Sequence, residues 1–105
     1  MEIRMVYITC ANIEEARRIG RDIVEKRLAA CVNIIDKINS FYWWEEKIQE
    51  DMEVVIIAKT KRSLIQALIE EVKSRHSYEC PCIVTLPVLE GNTDFLEWII
   101  KETKN

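Results

Sequence analysis

Residues 31–59, CVNIIDKINSFYWWEEKIQEDMEVVIIAK, hold two long runs of β-branched and aromatic residues with almost nothing between them. The spacing predicts strands over 31–44 and 48–59, joined by a hairpin turn around Glu45-Glu46, although no Asn-Gly pair marks that turn. At about 3.3 Å per residue each strand reaches roughly 40 Å, about twice the usual length. The excess has to leave the sheet of a small domain.

Working outward, residues 3–10 (IRMVYITC) read as a strand covered on both sides. Asn12 opens a helix, with Glu15 three positions later as in a capping box. Ile13, Ala16, Ile19, Gly20, Ile23 and Val24 fall on one face of that helix, which is expected to end near Leu28–Ala30. Glu14 is placed to pair with Arg18, and Asp22 with Lys26, while Gly20 signals a close approach to a sheet. A second helical pattern covers 61–76, with Thr60 or Ser63 as its candidate cap. A strand follows at 82–89, and Pro87 assigns it to a sheet edge because proline has no N–H for a second ladder. Gly91-Asn92-Thr93 then turns into a short helix carrying Phe95, Leu96, Trp98, Ile99 and Ile100.

The order β-α-β-β-α-β plus a terminal helix predicts an α+β, ferredoxin-like sandwich with a long β2–β3 hairpin. Residues 1–105 are expected to form one domain. In such a sandwich both crossover helices cover one sheet face. The strands here are apolar on both faces: Val54, Ile56 and Ala58 on one, Val55 and Ile57 on the other. An open apolar face of that size predicts an oligomer.

Composition narrows the function. Hydrophobic residues make up 49% and charged residues 31%, which excludes a disordered chain, and the net charge of −3 speaks against a phosphate-neutralising nucleic-acid binder. No apolar run approaches a membrane span, so no membrane partner is expected. Four scattered cysteines make a poor disulfide framework, which points to free thiols and a cytoplasmic location.

Few residues carry recognisable chemistry. His76, the single histidine, is either a metal ligand or proton carrier, or a cation at a helix C-terminus, and the residues alone favour the second. Cys80-Pro81-Cys82 offers two thiols where structural zinc usually needs four ligands. Cys10 follows the first strand, where small copper carriers of this fold place a Cys-x-x-Cys pair, but Ile13 stands in the second position. Phe41-Tyr42-Trp43-Trp44 lacks the neighbouring Arg and Lys of a nucleic-acid platform and reads as an inter-subunit anchor. The nearby Glu45, Glu46, Glu50, Asp51 and Glu53 read as a solvated strand face rather than a cation site. No established catalytic constellation is present, so no enzyme is expected; any active site would lie between subunits, drawing on His76, Tyr78, Lys59 and Glu53. The plainer role for Lys59 and Glu53 is an inter-strand pair supporting the hairpin.

Five motifs in order carry a resemblance: LAACVNI (28–34), Ser40-x-Tyr42-x-Trp44, Glu53 through Lys59-Thr60, His76-x-Tyr78-Glu79-x-Pro81, and LPV-x3-N-x2-FL-x-WI (86–99). Together they resemble the CutA family of divalent-cation tolerance proteins. That resemblance implies a homotrimer, the long hairpins knitting subunits together, and a cytoplasmic role in tolerance of copper and other divalent metals. It makes His76 the metal-ligand candidate and a divalent ion such as Cu2+ the cofactor, weakly held. Tyr42, Trp44, Glu53, Lys59, Tyr78 and Trp98 are the matching interface or binding positions. The family's copper-associated cysteine aligns with Ile8, two residues before Cys10. Two departures occur: Glu46 stands where the family has glycine, implying another turn, and Ser77 stands where it has proline, implying a looser bend. The alternative is a signalling or scaffold trimer that binds an effector or a protein partner in its inter-subunit clefts.

Overall fold

The computed structural model describes residues 2–105. Four strands and three helices follow the expected order: β1 (Ile3–Cys10), α1 (Ile13–Glu25), β2 (Cys31–Trp44), β3 (Lys47–Lys61), α2 (Ile65–Arg75), β4 (Ile83–Val88) and α3 (Thr93–Glu102). All strand pairs are antiparallel, in the order β2-β3-β1-β4, so the ferredoxin-like expectation is met. Pro87 lies on edge strand β4, which pairs only with β1.

One face of the sheet carries the core. Val6 and Ile8 of β1, Val54, Ile56 and Ala58 of β3, Ala16, Ile19 and Ile23 of α1, and Leu68 and Val72 of α2 form one buried cluster. Burying each large aliphatic side chain contributes about 2 kcal/mol. Gly20 is where α1 meets β2: a Cβ there would stand 3.1 Å from Val32 Cγ2. Outside the core, Lys26 and Arg75 bridge Asp22 of α1 to Glu71 of α2 with separations of 2.6–3.4 Å.

Three local expectations are corrected. The first helix stops at Glu25 rather than near Leu28–Ala30, because Arg27 turns left-handed (φ 57°) and the N–H groups of Leu28 and Ala29 fold back to Ile23 O. Neither Thr60 nor Ser63 caps the second helix, which is entered through a 3-10 turn at Arg62–Leu64. Thr60 instead donates its buried hydroxyl to Leu28 O at 2.6 Å. Arg18 pairs loosely with Glu15, at 3.9 Å, in place of Glu14.

The hairpin extends the molecule to 44 Å against 25 and 22 Å across. Trp44 pairs with Lys47, leaving Glu45 and Glu46 as a two-residue turn with φ of 52° and 65°. Both residues occupy the left-handed region of a type I′ turn, which normally takes Asn-Gly. The departure at Glu46 is therefore accommodated by strain rather than by a different turn length.

A β-bulge at Asp36–Lys37 shifts the pairing of β2 with β3: Ile35 opposes Val55, and Ile38 opposes Glu53. The extra residue reverses the alternation of β2 beyond it. Ser40, Tyr42 and Trp44 thus lie on the sheet face turned away from α1 and α2, with Thr9, Glu53 and Val55. Phe41 and Trp43 lie on the opposite face, beyond the helices, beside Ile48 and Met52; their exposures are 67% and 70%, with 63% and 59% for the partners. Helix α3 lies against β1 and β3, and Val55 and Ile99 are buried outside the main cluster. The second face is therefore partly covered, while Ile35, Val84 and Leu86 on it remain exposed.

Replacing Glu45-Glu46 by Asn-Gly relieves two left-handed non-glycine residues and should stabilise the fold by about 1 kcal/mol. An upward shift of the urea midpoint at unchanged slope is the expected result.

Candidate functional site

Two sets of side chains meet where the 76–82 segment crosses the end of β1. The first lies at the start of α1. Asn12 Oδ1 accepts the Glu15 N–H at 2.8 Å, which caps the helix. The Glu15 carboxylate, itself buried, accepts the Ala11 N–H at 3.0 Å and the Ser77 N–H at 2.8 Å. Burial alone would raise its pKa; the two N–H donors, with His76 nearby, outweigh burial and hold it below the usual carboxylate value. Ser77 thereby supplies a tie that proline, lacking an N–H, has no means to make. The looser bend expected from that departure is replaced by a hydrogen bond.

His76 caps the end of α2 in extended conformation. Its Nε2–H donates to Thr9 O at 2.7 Å, and Nδ1 accepts the Tyr78 N–H at 3.0 Å, an arrangement that assigns the neutral Nε2–H tautomer. Behind it lies Cys10, fully buried, its thiol pushed up to about 12 by burial first and by the charges of Glu15 and Glu53 next. One ligand atom each from Cys10, Glu15 and His76 lies within 4.8 Å of the others. Sulfur, carboxylate oxygen and imidazole nitrogen together suit a borderline divalent ion such as Cu2+ or Zn2+. The donor set fits a metal, with two conditions: the thiol must lose its proton, and one His76 hydrogen bond must yield. Cys10 and Glu15 were not singled out as ligands by sequence reasoning. The available signal was the Asn12-x-x-Glu15 cap beside Cys10, which read as helix punctuation.

The second set walls a cleft of about 590 Å³ between the hairpin and the 77–82 segment. The sheet contributes Thr9, Ser40, Tyr42, Trp44 and Glu53; the segment contributes Ser77, Tyr78, Glu79, Cys80 and Cys82. Tyr78 donates its hydroxyl to Glu53 Oε2 at 2.7 Å, and Tyr42 donates to Asp51. Burial and then the Glu53 bond push the Tyr78 phenol well above its ordinary value, and the Asp51 bond chiefly raises Tyr42. The His76 and Tyr78 rings sit 4.8 Å apart.

Four of the expected binding positions, Tyr42, Trp44, Glu53 and Tyr78, therefore converge beside His76. Lys59 does not join them. It lies on β3, the same strand as Glu53, and bonds to Asn33 of β2, so the expected Lys59–Glu53 inter-strand pair does not form. Trp98 stacks on Phe95 of α3, with ring centroids 5.5 Å apart. Cys80 and Cys82 are exposed and unpaired.

The model of the family described as CutA1 divalent ion tolerance protein matches residues 4–102. The chain belongs to this family. It is 45% identical over 100 residues to the rice (Oryza sativa subsp. japonica) protein named Protein CutA 1, chloroplastic, covering 95% of the chain and 56% of that protein. The chain thus spans little more than half the length of the first curated relatives it matches. A crystal structure of CutA1 from Oryza sativa superposes with a TM-score of 0.96 at 43% identity, over 99% of this chain and 95% of the other. The structure titled periplasmic divalent cation tolerance protein CutA from Archaeoglobus fulgidus gives 0.94 at 43% identity, over 97% and 99%. These relatives overturn the cytoplasmic expectation, since the same fold occurs in proteins named for the chloroplast and the periplasm. Free thiols constrain redox chemistry, not address. No helix among the described residues is long and apolar enough to cross a membrane.

Glu15 ties α1, the β1 end and the 76–82 segment together, so Glu15→Gln should cost about 2 kcal/mol at neutral pH. Because the folded carboxylate has the lower pKa, its contribution is present above the unfolded value, near 4.5, and lost as pH falls through the folded one. The wild type should lose stability over that acid window more steeply than Glu15→Gln, as read from urea midpoints between neutral and acid pH.

Proposed function

We propose that this divalent-cation tolerance protein is a homotrimer, one domain per chain, that binds a divalent ion directly, with His76 as principal ligand and Cys10 and Glu15 beside it. The observation that carries the metal reading is the convergence of these three donors within 4.8 Å in the 76–82 crossing. Cu2+ is the favoured ion by donor softness, and binding is weak because His76 must give up a hydrogen bond and Cys10 a proton. The printed names of the relatives, which refer to divalent cation tolerance, support the same reading. No catalytic role is assigned to these residues.

Calorimetric titration of the reduced protein with Cu2+ tests it. Stoichiometric binding is expected, at least tenfold weaker in His76→Ala and in Cys10→Ser, and tightening as pH rises because the thiol proton must leave. Equal binding by all three proteins removes this site from the account.

The trimer reading rests on the apolar flank of the hairpin, where Phe41, Trp43, Ile48 and Met52 stand exposed on one face, and on Ile35, Val84 and Leu86 of the sheet. Light scattering should report three times the 12.4 kDa chain mass. Trp43→Lys combined with Ile48→Glu should lower that mass. A wild-type monomer at micromolar concentration contradicts the assembly.

A further inference from the structure

The cleft between the hairpin and the 77–82 segment has a chemistry separate from the Cys10–Glu15–His76 grouping. Glu53 lies at its wall, 8% exposed, with one carboxylate oxygen held by the Tyr78 hydroxyl. Among the described residues no lysine, arginine or histidine forms an ion pair with Glu53, and neither lysine nor arginine lines the cleft. A carboxylate so far removed from water ordinarily has a cationic partner. Glu79 adds a second negative group to the wall. Three aromatic side chains, Tyr42, Trp44 and Tyr78, supply the remaining surface. Both tyrosine hydroxyls already donate to carboxylates, to Asp51 and Glu53, so neither is left to donate to an anionic ligand.

We propose that this cleft binds a small organic ammonium ion, its charge seated on Glu53 and its alkyl groups against Tyr42, Trp44 and Tyr78. A weakly hydrated cation gains both from the carboxylate and from the aromatic quadrupoles, and desolvation strengthens each attraction. A bare metal ion fits the cleft poorly. Its walls bring together no three ligand atoms, whereas the grouping behind His76 does so, and about 590 Å³ is ample room for a small organic molecule. The site goes beyond the metal reading and stands or falls independently of it.

The test uses the intact protein with EDTA present, so that divalent ions play no part. Tetramethylammonium and n-butylammonium are titrated at fixed ionic strength, followed by calorimetry and tryptophan fluorescence, with tert-butanol as the neutral counterpart. Saturable binding of the ammonium ions, at least tenfold tighter than that of tert-butanol, is expected. Glu53→Gln should weaken binding at least tenfold and Trp44→Leu several-fold, while His76→Ala leaves it within twofold. Absence of saturable binding by the wild type overturns the proposal, including the case in which a lysine from another copy already fills the cleft. Equal affinity for tert-butanol, or undiminished affinity in folded Glu53→Gln, overturns it as well. If Glu53→Gln does not fold, Trp44→Leu at its exposed position decides: undiminished affinity there overturns the aromatic seat.

Discussion

The extra residue at Asp36–Lys37 sets the phase of the outer hairpin, and most of the chemistry of the molecule depends on that phase. Lys37 adopts a left-handed φ of 63°, and the Asp36 side chain accepts its N–H at 2.8 Å, which holds the bulge in a local turn. Beyond it, Tyr42 and Trp44 join Glu53 and Thr9 on one face, while Phe41 and Trp43 join Ile48 and Met52 on the other. A strand without the bulge would exchange the two sets. Cleft aromatics would then face outward, and the exposed apolar flank would be lost.

Two buried carboxylates divide the labour next to this hairpin. Glu15 is satisfied by backbone N–H donors from two separate segments, and works as a strut that positions His76 and Ser77. Glu53 receives only the Tyr78 hydroxyl and leaves negative charge at the cleft wall. Thr9 connects the two regions. Its carbonyl anchors the His76 ring, and the residue also lines the cleft. The same charges keep the Cys10 thiol protonated, which gives any metal bound there a proton to displace.

Much of the fold was legible because local signals agreed with the global arrangement. Alternating apolar runs marked β1 to β4, Pro87 marked the edge, and Asn12 marked the start of α1. Gly20 foretold the close contact with β2. The site was legible in part. Tyr42, Trp44, Glu53, Tyr78 and His76 were named from their motifs and do meet, whereas Lys59 and Trp98 are directed elsewhere. Cys10 and Glu15 were missed as a pair with His76, which lies more than sixty positions away in the chain, because no local pattern encodes that proximity.

The amino-acid sequence by itself determined the element order, the antiparallel sheet with its edge strand, the overlong hairpin and the family, since each follows from periodicity, proline chemistry and motif spacing. Only the tertiary structure decided which aromatics share a face, which carboxylate is a strut and which is open to a ligand, and that Ser77 replaces a rigid ring with a hydrogen bond. Those outcomes turn on one inserted residue and on contacts between distant segments. A bulge reverses side-chain direction without altering composition, and burial of a carboxylate is a property of the surrounding packing.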